Sequence, residues 1–167
     1  LAYPAIRFSL TTDGRQAFRS TGNGELYDVL IAVYGLDVAE QMLSVNEPAD
    51  LRALDKSDPP QPIIPVSGYT SAPALHRANR RYITFFVNRR WIQDRSLAHA
   101  VAQAYHTLLP VGRHPVAIIL LEVDPAEVDV NVHPTKREVK FRNSRNVFSA
   151  VQRAVRHTLV ERSPVSA

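Results

Sequence analysis

An α+β domain, with helices packed on one face of a mixed β-sheet, is what three observations predict. Short runs of alternating apolar residues alternate along the chain with longer segments whose apolar residues recur at three- and four-residue spacing. The run PVAIILLEV at 115–123 is apolar almost throughout, which marks a strand covered on both faces. Joining these pieces in order takes both hairpins and crossovers, the signature of a mixed sheet with helices. At 167 residues, 45% of them hydrophobic and 22% charged, the chain suits one ordinary domain with a packed core. We therefore expect a single domain over 1–167.

The elements follow in order. Ile6, Phe8 and Leu10 alternate up to Asp13-Gly14, so residues 5–20 are expected to form two antiparallel strands joined by a tight turn. In TGNGELYDVLIAVYG, Leu26, Val29, Leu30 and Val33 share one face, Asn23 offers an N-cap and Gly35 a stop. About three helical turns are predicted. Gly22 and Gly24 ahead of this helix lack the Lys-Ser/Thr of a P-loop and a third glycine, so they read as turn and cap residues. Residues 44–65 carry five of the twelve prolines and read as a connector, with a short edge strand at Leu51 to Leu54. A strand is expected between Ile63 and Thr70, and a central, well-buried one at Arg81 to Val87. Asn88-Arg89-Arg90 then turns the chain, and Trp91 and Ile92 continue the ribbon. A helix from Arg95 to Leu109 turns Leu97, Val101, Ala104, Tyr105 and Leu108 to one side and meets Pro110. After the 115–123 strand, Val128, Val130 and Val132 alternate, His133-Pro134 interrupts them, and Val139 and Phe141 resume. A last helix is predicted from Asn143 to Leu159, with Val147, Val151, Ala154 and Val155 inward.

Charge divides the chain unevenly. Residues 1–75 hold five basic and nine acidic groups, whereas residues 76–167 hold fifteen basic and seven acidic, a balance of +8. Such a half has the footprint of a polyanion-binding surface, and equally of a small domain kept soluble by scattered arginines. With no cysteine, the chain has no disulfide framework, no Cys-based zinc site and no thiol nucleophile, which fits a reducing compartment. No apolar run approaches the ~20 residues of a membrane span, so a soluble chain is expected. The first residue is Leu1 and strand-like residues follow at once, which suggests a segment of a longer polypeptide.

Candidate site residues fall in two places. Arg89, Arg90 and Arg95 cluster at the ribbon turn and the next helix start, where guanidinium forks match phosphate oxygens and confer salt-dependent affinity. Arg95 is disfavoured by the helix dipole, and an external anion would relieve it. Trp91 and Tyr82 are either base-stacking platforms or, as strand aromatics usually are, core. The second place is the break at His133-Pro134-Thr135-Lys136, where a lysine is a compact point charge suited to a terminal phosphate or simply a solvated loop residue. Glu138 is either an ion-pair partner that steadies this loop or a surface carboxylate. His133 reads as a turn histidine bonded to backbone, since nothing pairs with it at a metal-ligand spacing. Asp124, Glu127 and Asp129 read as turn carboxylates, and no metal site is expected.

The stretches FFVNRRWIQDRSLAHAVAQAY and EVDVNVHPTKREVKF, with the specific pattern N-V-H-P-x-K-x-E-V, resemble the second N-terminal domain of the MutL family of DNA mismatch repair proteins. TGNGELYDVLIAVYG and VSGYTSAP fit the same family, so the resemblance spans nearly the whole chain. Two departures are Arg89-Arg90 where the family usually has Gly-Arg, and a long Pro-rich connector. The resemblance implies a ribosomal protein S5 domain 2-like fold, shared with the transducers of type II topoisomerases. It implies a non-catalytic transducer that couples ATP state in a preceding ATPase domain to DNA binding and partner signalling. The intact protein would be an ATPase of the GHKL class using ATP and Mg2+, whereas this chain lacks that domain's motifs and would not hydrolyse ATP by itself. Lys136 corresponds to the family's γ-phosphate sensor, with His133, Pro134 and Glu138 supporting its loop. Expected partners are the ATPase domain of the same chain, DNA, the mismatch-recognition protein MutS and a second copy in a homodimer, in the cytoplasm and away from membranes. The alternatives are a free-standing nucleic-acid-binding module of the ribosomal S5 type, which has no need of a phosphate-sensing lysine, and a topoisomerase-like transducer.

Overall fold

The computed structural model describes residues 1, 4, 9–12, 15–19, 25–46, 63–130 and 138–162, with the side chains of 9–19 left aside. By its contacts the chain divides into two units, Leu1–Met42 and Leu43–Ala167.

In the first unit, β1 (Ser9–Thr12) and β2 (Arg15–Arg19) pair antiparallel, with Leu10 opposite Phe18 and Thr12 opposite Arg15. This is the expected hairpin, although Asp13 and Gly14 lie outside the described residues. Helix α1 (Leu26–Tyr34) buries Val29 and Leu30 as the spacing predicts, but Val33, expected on the same face, is exposed in the last turn. Its N-cap position is held by Glu25 without a side-chain cap bond, and Asn23 lies outside the described residues. Gly35 closes the helix at φ 90°, donating its N–H to the Ile31 carbonyl at 2.9 Å, a backbone angle that favours glycine. The short α2 (Leu36–Ala39), which the spacing did not indicate, follows directly.

The second unit is built on a five-stranded sheet in the order β3-β4-β9-β6-β7. Its strands are β3 (Met42–Asn46), β4 (Val66–Ser71), β6 (Ile83–Val87), β7 (Arg90–Ile92) and β9 (Ala117–Leu121). β9 lies at the centre, antiparallel to β4 and parallel to β6, and β6 pairs antiparallel with β7, so the sheet is mixed. Two expectations need correction here, and a third falls outside the described residues. Residues 44–46 belong to edge strand β3, because Met42 and Val45 are buried there, and the connector starts later. The proposed edge strand at Leu51 to Leu54 lies outside the described residues. Arg81 and Tyr82 are not strand but part of a 3-10 turn (Arg80–Tyr82), because the Asn79 carboxamide accepts from Arg81 N at 3.0 Å and curls the backbone.

Helix α3 (Arg95–Tyr105) and helix α4 (Ser144–Arg162) pack on the sheet through one core. On β9, Ala117, Ile119 and Leu121 belong to this core, and on β6, Phe85 and Val87 do, while the intervening Ile118 and Phe86 are also buried but on the other side of the pleat. Alternate residues meeting both helices put the helices on one face, as predicted. α3 stops four residues short of the expected end. His106 takes a positive φ of 53°, which breaks the helix and returns Leu108 and Leu109 to the core before Pro110. α4 buries Val147, Val151, Ala154 and Val155 as expected, capped by the Asn143 side chain accepting from Asn146 N at 3.1 Å. Two small ribbons complete the unit: β5 (His76–Arg77) with β8 (His114–Pro115), and β10 (Val128–Asp129) with β11 (Lys140–Phe141).

Candidate nucleic-acid interface

The β6–β7 turn comes first, because it carries two of the candidate arginines. Asn88 and Arg89 both have positive φ, 49° and 67°, in a two-residue loop that sets Val87 opposite Arg90. Such loops need that backbone at both central positions, and asparagine adopts it more readily than most residues. The Asn88 carboxamide also clasps the chain after β9: its Nδ2 donates to the Val123 carbonyl at 2.7 Å and its Oδ1 accepts from Val123 N at 2.9 Å. Two bonds to the same residue hold the turn in place, so Arg89 is tolerated where a glycine would be more comfortable. This clasp was not legible in the sequence, where Asn88 read only as a turn residue.

Just beyond the turn, edge strand β7, the 3-10 turn and the start of α3 enclose a groove of about 920 Å³. Its basic walls are Arg80, Arg81 and Arg95, each exposed. Phe85 and Ile92, both nearly fully buried in the core, form part of its lining together with Ala98 and Val139. Trp91 also lines it and is 44% exposed, which places the indole at the surface rather than in the core. Asp94 sits beside Arg95, but its Oδ1 caps α3 by accepting from Leu97 N at 3.0 Å. Glu138 is the other carboxylate of the lining and is exposed.

Of the three arginines grouped in the sequence, Arg95 lines this groove, while Arg89 and Arg90 belong to the neighbouring hairpin and are not part of its lining. Arg80 and Arg81 take their place, and sequence reading missed them because RYITFFV was read as one strand. The signal was the asparagine before the arginine pair, a cap residue placed to start a turn. Tyr82 is not core either: it is 36% exposed, and the Arg77 guanidinium lies over its ring, 5.5 Å from the centroid.

Lys136, His133 and Pro134 lie outside the described residues. Glu138 and Val139, just after them in the sequence, line the groove. Asp124 is a turn carboxylate as expected, accepting from Ala126 N at 2.9 Å within a second 3-10 turn, Pro125–Glu127. Among the described residues, no group of three His, Cys, Asp or Glu is placed to hold a metal ion. No helix among them is long and apolar enough to cross a membrane.

Among the described residues, Tyr105 is held far from the ordinary value of its side chain. Burial raises its phenol to about 12, partly offset by hydrogen bonds with the Thr70 hydroxyl and the Ser71 carbonyl. Ser71 extends this buried cluster, its Oγ donating to the Leu75 carbonyl at 2.9 Å and accepting from Val116 N at 3.0 Å.

Comparison with known proteins agrees with this architecture. The family described as DNA mismatch repair protein, C-terminal domain, matches residues 30–160. A DNA mismatch repair protein MutL of Anoxybacillus flavithermus is 40% identical over 163 residues, covering 98% of this chain and 25% of that protein. The MutL of Desulforudis audaxviator is 41% identical over 159 residues, covering 95% of this chain and 26% of that protein. The chain thus spans about a quarter of the length of the curated relatives it matches. A crystal structure of the N terminal domain of a DNA repair protein shares the fold, with a TM-score of 0.73 at 21% identity over 98% of this chain and 51% of that one. A family match across most of the chain, relatives near 40% identity and a common α+β fold agree, and the chain belongs to the MutL family of DNA mismatch repair proteins.

Proposed function

We propose that this domain is a non-catalytic transducer, coupling the ATP state of a preceding GHKL-class ATPase domain to DNA held along its arginine-lined groove. The observation that carries the reading is the groove itself, with Arg80, Arg81 and Arg95 on its walls and with Glu138 and Val139, which follow the H-P-T-K segment in the sequence, in its lining. Arg80, Arg81 and Arg95 supply guanidinium forks for phosphate oxygens, and Trp91 supplies a ring face. In the intact protein, ATP with Mg2+ binds in the ATPase domain, and Lys136 reaches the γ-phosphate, gaining an interaction that hydrolysis removes and so biasing the angle between the domains. His133, Pro134 and Glu138 shape the loop that carries it. MutS, DNA and a second copy of the chain are the partners of this reading, and the cytoplasm is its compartment.

The test is Lys136→Ala in the full-length protein. Loss of one contact to a transferring phosphoryl group is worth ~2 to 4 kcal/mol, so turnover should fall by about two to three orders of magnitude. ATP affinity should fall less than turnover, since the contact tightens in the transition state. Hydrolysis at the unmodified rate, with DNA stimulation intact, would remove the mechanism.

A further inference from the structure

The β5–β8 ribbon carries a second cationic cluster. The Arg77 guanidinium donates from Nη1 to the His76 carbonyl at 3.2 Å, and the Arg113 guanidinium donates from Nη2 to the same oxygen at 3.4 Å. Two permanent positive charges thus converge on a single carbonyl oxygen, and neither has a carboxylate partner among the described residues. Arg113 also donates from Nε to His76 Nδ1 at 2.8 Å. An imidazole that accepts at Nδ1 carries its proton on Nε2, so His76 adds a third donor. No acidic residue occurs in the sequence between Asp58 and Asp94, or between Asp94 and Glu122, to offset this charge locally.

Like charges held this close repel, and their mutual repulsion is relieved by an anion shared between the forks. The geometry is prepared for one. Of the five N–H groups of Arg113, the two just named hold the fork in place and the rest remain to donate outward, while stacking on Tyr82 orients Arg77. Tyr82 ends the same 3-10 turn whose Arg80 and Arg81 line the groove, and that turn packs against β8. The 3-10 turn therefore links the groove to the ribbon.

We infer that Arg77 and Arg113, with His76, form a second phosphodiester-binding site, which extends the nucleic-acid track beyond the Arg80, Arg81 and Arg95 groove. It rests on the nucleic-acid reading proposed above. The test is equilibrium binding of the chain to a 30-nucleotide single strand across a series of salt concentrations. The Arg77→Gln/Arg113→Gln pair removes two phosphate contacts, so the slope of log K against log salt should shrink by about 1.4, at ~0.7 per contact. Arg113→Lys keeps the charge and loses the fork, and should retain most of the slope, which separates charge from a folding defect. A slope unchanged in the double variant but flattened by Arg81→Gln/Arg95→Gln would overturn the ribbon site and leave the groove standing. A slope unchanged by either pair would overturn the nucleic-acid reading along with it. Loss of inorganic phosphate binding at His76, read from its imidazole resonances, with oligonucleotide binding unaltered would assign the cluster to free phosphate and overturn the track.

Discussion

Arg95 opens a helix whose dipole disfavours it, with Asp94 already engaged as the cap, so its charge is available to a ligand rather than to the fold. Arg95→Glu should weaken DNA binding to a similar extent for every sequence and flatten the salt slope, because a phosphate contact carries no base information. A filter or anisotropy assay with several unrelated oligonucleotides checks this, and a sequence-dependent loss would contradict it. Tyr105 shows the opposite case, a polar group committed to the interior. Its phenol bonds to Thr70 and Ser71, so Tyr105→Phe leaves buried partners unsatisfied and should cost about 1 to 3 kcal/mol by urea unfolding. The raised phenol also dictates a pH dependence. Below pH 10.0 the phenol is neutral whether folded or unfolded, and its contribution is intact. Above that value the unfolded phenol ionises first, and stability drains away until the folded group titrates at about 12. The loss across that window is ~3 kcal/mol, and Tyr105→Phe should abolish this component of the slope.

Among the elements, the contact between β4 and β9 is the tightest constraint. Gly68 has φ +120° and sits so close to β9 that a Cβ would run into the Ile118 carbonyl. Gly68→Ala should therefore destabilise by about 3 kcal/mol, from strain at a backbone angle reserved for glycine and displacement of the central strand. A urea midpoint equal to that of the unmodified chain would show that the strands can part without penalty. The periodic elements of this unit were legible in the sequence: β9 from its apolar run, α4 from its spacing, the β6–β7 hairpin from Asn88. The ends were not. Where α3 stops depends on His106 taking a positive φ so that Leu108 can reach the core, and where β6 begins depends on Asn79 capping a turn. Both are decided by contacts that periodicity does not encode.

For the whole molecule, the chain covers only about a quarter of the length of its relatives, and on the proposed transducer reading the nucleotide is held by a domain outside that quarter. The purified chain should show no steady ATP turnover, and hydrolysis that persists through further purification would contradict the transducer reading. The sequence by itself determined the α+β class, the core faces of β9, α3 and α4, and the family, because each rests on local periodicity or on a contiguous motif such as N-V-H-P-x-K-x-E-V. Only the tertiary structure decided which arginines share a surface. Arg95 is well separated along the chain from the Arg80-Arg81 pair yet lines one groove with it, and Arg77 meets Arg113 on one carbonyl across the β5–β8 ribbon. Charge carries no periodicity, and pairs so far apart in sequence are brought together by strand order and register alone.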